Sequence, residues 1–254
     1  MQRPDKPRMA RNHSLKHRPE DGIHVHHHRL LRAAGPALAA IALFLGGIAV
    51  ASADAIAADA AGPERSRNSL RVLWAKSSES DLTTGVFGDF DASPESNYLL
   101  GASWGRHLSD TLFGLPFPMT ANLGVQYFNE RGYQDDALGA TAFVKAHYTW
   151  RVPLTSKHVR LGLGEGLSYV SRVPLSEERD FAKKGVHSEK LLNYVEWTVD
   201  VPLQQFATFR PLMHGRLEEL SIGFIIWHRS SVYGLFADTR GGVNFMGFGI
   251  EARF

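Results

Sequence analysis

Between residues 220 and 254 the chain alternates with a period of two, and this restricts it to paired strands more tightly than any other pattern it contains. Leu220, Ile222, Phe224 and Ile226 form an apolar face that ends in His228 and Ser230, while Ser221, Gly223, Ile225, Trp227 and Arg229 point the other way. A segment holding Gly234, Asp238, Gly241 and Gly242 reads as a loop. The alternation then resumes, with Asn244, Met246, Phe248, Ile250, Ala252 and Phe254 against Phe245, Gly247, Gly249, Glu251 and Arg253. One pair fixes every other pair of a hairpin, so Phe224 opposite Phe248 sets His228 opposite Asn244. His228, Ser230 and Asn244 thereby collect at the end of an apolar face. Either they mark where the apolar band stops, or they act there.

The chain has 254 residues and no cysteine, which removes disulfides and thiolate metal sites from consideration. Arg29 and Arg32 precede an apolar run over residues 33–50, followed by Ala51-Ser52-Ala53. This is the pattern of a secretory signal peptide, with cleavage expected after Ala53; a single membrane-anchoring helix is the alternative. The stretch before Arg29, with His24, His26, His27 and His28, is long for a signal peptide's basic region, so a translation start downstream of Met1 is expected. Residues 1–53 thus read as extension and signal peptide, 54–67 as a flexible lead-in, and 68–254 as the folded domain. Removal of residues 1–53 leaves twenty Lys and Arg against twenty-three Asp and Glu, a charge of about −3. No concentrated basic face is present, and nucleic acid is not an expected partner.

Strand signals recur at residues 69–76, 98–107, 119–128, 141–152, 159–169, 191–201, 220–230 and 244–254, and no segment has a convincing helical period. One face of these strands is apolar with Tyr and Trp near its ends. The other carries Lys145, His147, Arg151, Glu196, Asp200, Glu251 and Arg253, which read as a charge network inside a closed structure. Glu165 sits on the apolar face, as though a bulge or a functional contact intervened. Eight antiparallel strands of about ten residues with an apolar, aromatic-girdled exterior describe an all-β fold, an outer-membrane β-barrel, with a side-chain-filled lumen rather than a pore. A soluble lipid-carrying barrel would reverse the two faces. In the membrane reading both termini lie on the periplasmic side, and the segments 78–97, 129–139, 174–190 and 231–243 lie outside. His228 and Ser230 then meet the outer leaflet, which in a Gram-negative outer membrane is lipopolysaccharide. The connections 109–118, 153–158 and 204–219 lie on the periplasmic side, two of them longer than usual for such turns.

Residues i and i+2 of a strand point the same way at a separation of about 7 Å. A serine becomes a useful nucleophile when a base takes its proton and a third polar group holds that base. Ser230, His228 and Asn244 fit those roles, although a His-x-Ser pair also suits a strand end at a membrane interface. The sequence His228-Arg229-Ser230-Ser231 with Gly234 following, and a last strand of eleven residues from Asn244, resembles the C-terminal hairpin of the PagL-type lipid A 3-O-deacylases. The resemblance implies an eight-stranded outer-membrane barrel that hydrolyses an acyl ester of lipid A. It makes His228 the base and Ser230 the nucleophile, with an oxyanion site near Ser231 and Gly234, and no cofactor or metal. It also differs from that family's pattern, since Asn244 stands where the family has Glu and Ser231 where it has Asn. The segment before Gly234 is one residue longer as well. An asparagine can hold a neutral histidine but cannot stabilise the imidazolium by charge. Asp238 is a candidate substitute acid, and Tyr233 and Phe236 are candidate acyl-chain contacts. The expected partners are lipid A and outer-membrane lipid, and a homodimer is left open.

Overall fold

The computed structural model describes residues 66–231 and 242–254. The expected signal peptide, its cleavage point near Ala53 and the lead-in up to residue 65 lie outside the described residues. So do Tyr233, Gly234, Phe236 and Asp238.

Eight antiparallel strands close into one barrel in sequence order. They are β1 (Asn68–Ser78), β2 (Tyr98–Ser109), β3 (Met119–Asn129), β4 (Ala137–Arg151), β5 (His158–Val170), β6 (Leu191–Pro202), β7 (Glu219–Ser230) and β8 (Gly242–Arg253). Closure pairs β1 with β8, with Ser78 opposite Asn244 and Ser69 opposite Arg253. A single row of paired residues can be followed around the wall. It leaves β1 at Ser78 and passes through Asn244, His228, Val195, Glu165, Val144, Ala121 and Arg106. It returns to β1 at Asn68, ten residues below its start. That stagger over eight strands tilts them by about 40° to the barrel axis, inside the usual range for closed barrels. The row descends as it leaves β1, so the His228 level is near one rim and Glu165 is near mid-height.

The exterior is apolar. Val72, Trp74, Leu100, Leu123, Val125, Phe248 and Ile250 are all exposed, which a barrel in water would not tolerate and a bilayer rewards. Tyr127 and Tyr169 lie toward the rim with the site, and Trp104 and Trp150 toward the other, forming the two aromatic girdles. The soluble alternative, with polar residues outside, is thereby overturned.

The lumen is packed with side chains above a cavity at its lower mouth lined by Ser69, Thr120, His147 and Arg160, and its upper half is dominated by aromatic rings instead of charge. Phe128, Phe143, Tyr194, Trp227 and Phe245 pack there edge to face or tilted, with ring centroids 4.9 to 5.7 Å apart. This explains why Ile225, Trp227 and Phe245 interrupt the face that otherwise carries charge. Below them lies the ionic network. Arg71 bridges Glu251 and Asp200, each at 2.7 Å, and Lys145 reaches Glu196 at 2.6 Å. Arg160 joins Glu251 and Glu219, while Arg253 reaches Glu251 at 2.7 Å. Arg151 is not part of this network: it ends β4 in solvent, past the last lumen layer. Arg71 and Arg160 take part although the polar-face reading passed over them. β1 looks irregular in sequence because Arg71 and Leu73 both face inward.

Three other expectations are corrected. Glu165 faces outward in an unbroken ladder, so no bulge explains it, and its ladder partners on either side are Val144 and Val195. β4 begins at Ala137 rather than 141, because Ala137, Leu138, Gly139 and Ala140 give no alternation and yet pair with β3. Two helices form in segments that lacked helical period, namely α1 (Leu82–Val86) after β1 and α2 (Leu175–Lys183) before β6.

α2 closes the mouth of the barrel. Glu177 and Phe181 are fully buried beneath it, and Glu177 lies 3.4 Å from Arg229 and bonds the Ser188 hydroxyl. Arg229 enters the lumen, as its parity requires, and donates to the carbonyls of Glu189 and Lys190 at 3.0 Å. Burial pushes the Glu177 carboxyl up to about 7, against the opposing pull of Arg229. A raised carboxyl favours folding below its unfolded value and loses that advantage as pH rises through its folded value. Barrel stability should therefore fall between about pH 5 and pH 8, by up to about 3 kcal/mol if burial of this carboxylate is the main cause. Urea midpoints of the detergent-solubilised barrel measured across that range check this. The slope should flatten in Glu177→Gln, which keeps the acceptor for Ser188.

Candidate functional site

β7 and β8 bring His228, Ser230 and Asn244 to the outer face of the barrel near its rim, as the alternation requires. His228 and Asn244 are direct ladder partners, and Oδ1 of Asn244 lies 2.7 Å from Nδ1 of His228. The same amide donates through Nδ2 to the backbone carbonyl of Ser80 at 2.6 Å. That carbonyl can only accept, so the amide nitrogen must face it and the amide oxygen must face the ring. An amide oxygen accepts, so Nδ1 of His228 carries the proton. The lone pair is consequently on Nε2, the nitrogen left to act as a base. Asn244 thus fixes the tautomer that a general base needs, although it brings no charge.

Ser80 is itself held. Its N–H donates to Ser78 Oγ at 3.2 Å and its hydroxyl oxygen accepts from the Asp91 N–H at 2.8 Å. Glu79 N–H and the Ser78 hydroxyl both donate to the Asp91 carbonyl. The loop between β1 and β2 therefore supports Asn244 from behind. α1 extends that loop down the outer wall, and Gly85 lies so close to Met246 that a side chain at 85 would collide with it. Ile226 and Met246 face outward yet are buried under this helix. The site consequently has a protein wall on one flank instead of open lipid.

Ser230 is half-buried, two residues beyond the imidazole on the same face. Its ladder neighbours are Asn193 of β6 and Gly242 of β8. A Cβ on Gly242 would stand 2.7 Å from His228 Cε1, 3.1 Å from Ser230 Cβ and 2.6 Å from the Arg229 carbonyl oxygen. Glycine there leaves a gap bordered by the imidazole Cε1 on one side and the Ser230 Cβ on the other. Among the described residues the Ser230 hydroxyl makes no hydrogen bond with the imidazole, whose partner is Asn244. Catalytic hydrogen bonds commonly tighten only when substrate is present. Ser231 is buried just past the strand end. The expected partners Gly234 and Asp238 cannot be placed, since they lie outside the described residues.

The structure adds four residues to the predicted group. Ser80 and Gly242 act through backbone position. Asp180 of α2 accepts from the Gly242 N–H at 3.4 Å while paired with Lys184 at 2.6 Å, which sets a carboxylate at the rim beside the imidazole. Asn193 borders Ser230 on the side away from Gly242, and parity alone could have found it, since it is an amide on the apolar face of β6.

No family model matches the chain, and no curated protein does. Solved structures with similar folds include the outer-membrane enzyme PagL, at TM-score 0.42 and 11% identity over 72% of this chain and 97% of that one. The N-terminal β-barrel domain of Pseudomonas aeruginosa OprF is similar at TM-score 0.35 and 11% identity, covering 75% of this chain and 100% of that one. OprG from the same organism is similar at TM-score 0.30 and 13% identity, covering 76% and 99% respectively.

Proposed function

We propose that this barrel is an outer-membrane ester hydrolase that removes an acyl chain from lipid A, in the manner of a 3-O-deacylase. The observation that carries the reading is the Asn244 amide, held by Ser80 so that its oxygen fixes His228 with the lone pair on Nε2, two residues before Ser230 on the same strand face. The site's position limits the substrate class, because it opens on the apolar exterior near a rim and not on the lumen. An ester within reach must belong to a molecule embedded in the bilayer, and lipid A presents such esters in the outer leaflet. The sequence resemblance of the 228–231 segment to the lipid A deacylases points the same way.

In the mechanism, His228 Nε2 takes the Ser230 proton as Oγ attacks the ester carbonyl. Backbone amides near Ser231 to Gly234 would hold the oxyanion, as the sequence resemblance implies, the alkoxy group leaves with a proton returned by His228, and water then releases the fatty acid. A non-catalytic barrel is the second reading, favoured by the neutral Asn244 where a carboxylate would stabilise the imidazolium. Mass spectra of lipid A from cells with and without the protein separate the two. The esterase reading expects loss of one acyl chain with the wild type and none with Ser230→Ala. An unchanged lipid A profile, or a loss that persists in Ser230→Ala, removes it.

A further inference from the structure

We infer that the Asn193 carboxamide donates a hydrogen bond to the oxyanion formed when Ser230 attacks an ester, an inference that rests on the esterase reading above. Asn193 lies on β6, directly opposite Ser230 in the ladder, and both side chains face outward. Direct ladder partners hold their Cβ atoms about 5 Å apart, and the carboxamide extends two bonds beyond its own. It therefore reaches the space above the Ser230 hydroxyl where a carbonyl oxygen would come to rest.

Three features mark the residue as more than strand filler. It is an amide on a face otherwise built of Leu191, Val195, Trp197 and Val199. It is only 4% exposed. It also makes no hydrogen bond among the described residues, which leaves its N–H donors available to a ligand. A largely enclosed amide with no partner in the protein is one that a bound ligand can satisfy. Gly242 flanks Ser230 on the β8 side and the imidazole edge borders the same gap, so Asn193 adds a side-chain donor from the β6 side.

The chemistry balances as an ordinary acyl transfer. The Oγ–C bond forms as the hydroxyl proton passes to His228 Nε2, and the carbonyl π electrons move onto oxygen, where Asn193 Nδ2–H meets them. Collapse restores the carbonyl and breaks the C–O bond to the alcohol, which leaves with the proton from His228. Water repeats the sequence on the acyl-serine and frees the carboxylic acid.

The test uses the full chain refolded in detergent, with a long-chain p-nitrophenyl ester as substrate and a fluorophosphonate that labels an activated serine. Asn193→Ala is expected to lower kcat by about 10²- to 10³-fold with KM within threefold, the pattern of a group that acts on the transition state alone. Asn193→Asp keeps the shape, so it serves where alanine disturbs folding; as an acceptor facing an oxyanion it should lose at least as much. Labelling of Ser230 should slow in parallel in both variants. Wild-type activity with kcat within threefold in either variant overturns the inference and leaves the esterase reading intact. A wild type that neither hydrolyses the ester nor takes the label overturns that reading, and Asn193's role with it.

Discussion

His228→Ala should lower ester hydrolysis by about 10³- to 10⁴-fold while the barrel still folds, as judged by its heat-modifiable migration on a gel. General-base assistance is worth about 10²–10⁴, and a serine without its base loses most of its nucleophilicity. The lost side chain touches no part of the lumen core, so stability should change little beyond the Asn244 hydrogen bond. Asn244→Ala is the graded companion. It leaves Nε2 in place but releases the ring from its fixed tautomer, and it also releases the loop that Ser80 anchors, so a loss of about 10²-fold is expected. Rates of fatty-acid release by the purified variants check both. A His228→Ala enzyme within tenfold of wild type would mean that another group takes the Ser230 proton.

The site's core was legible because a strand's side-chain period is local. Parity alone sends His228, Ser230 and Asn244 to one face, and a hairpin register alone sets His228 opposite Asn244. The supports were not legible because they come from far along the chain. Ser80 is 164 residues from Asn244, and nothing in a Ser-rich loop announces which carbonyl will turn toward an amide across the β1–β8 seam. Asn193 is an intermediate case. Its outward parity is visible in β6, but its place beside Ser230 depends on a register set across the long connection between β6 and β7, which folds into short 3₁₀ turns at residues 203–205 and 207–212. The same distinction holds in the lumen. Period two predicted which residues face inward, while the split into an aromatic upper half and an ionic lower half follows from barrel stagger, which only closure of β1 on β8 determines.

That stagger is also what makes the ionic half sensitive to a single substitution. Arg71 donates to Glu251 through Nε at 3.0 Å and through Nη2 at 2.7 Å, and the same Nη2 reaches Asp200 at 2.7 Å. The side chains are 3%, 5% and 1% exposed, so water cannot replace a missing partner. Glu251 keeps Arg160 and Arg253 when Arg71 is removed, but Asp200 has no other ion pair among the described residues, and its second oxygen already lacks a hydrogen bond. Arg71→Met should therefore cost about 3–5 kcal/mol, the penalty of leaving one partner of a buried pair uncompensated, and not merely the value of the pair. Asp200→Asn in the same chain removes the stranded charge, so the double variant should recover a large part of that loss. Denaturation midpoints of the four chains in one detergent provide the cycle. If Arg71→Met and the double variant lose equal stability, the arginine serves by filling volume between β1 and β6, and the charges inside this barrel are not what holds it closed.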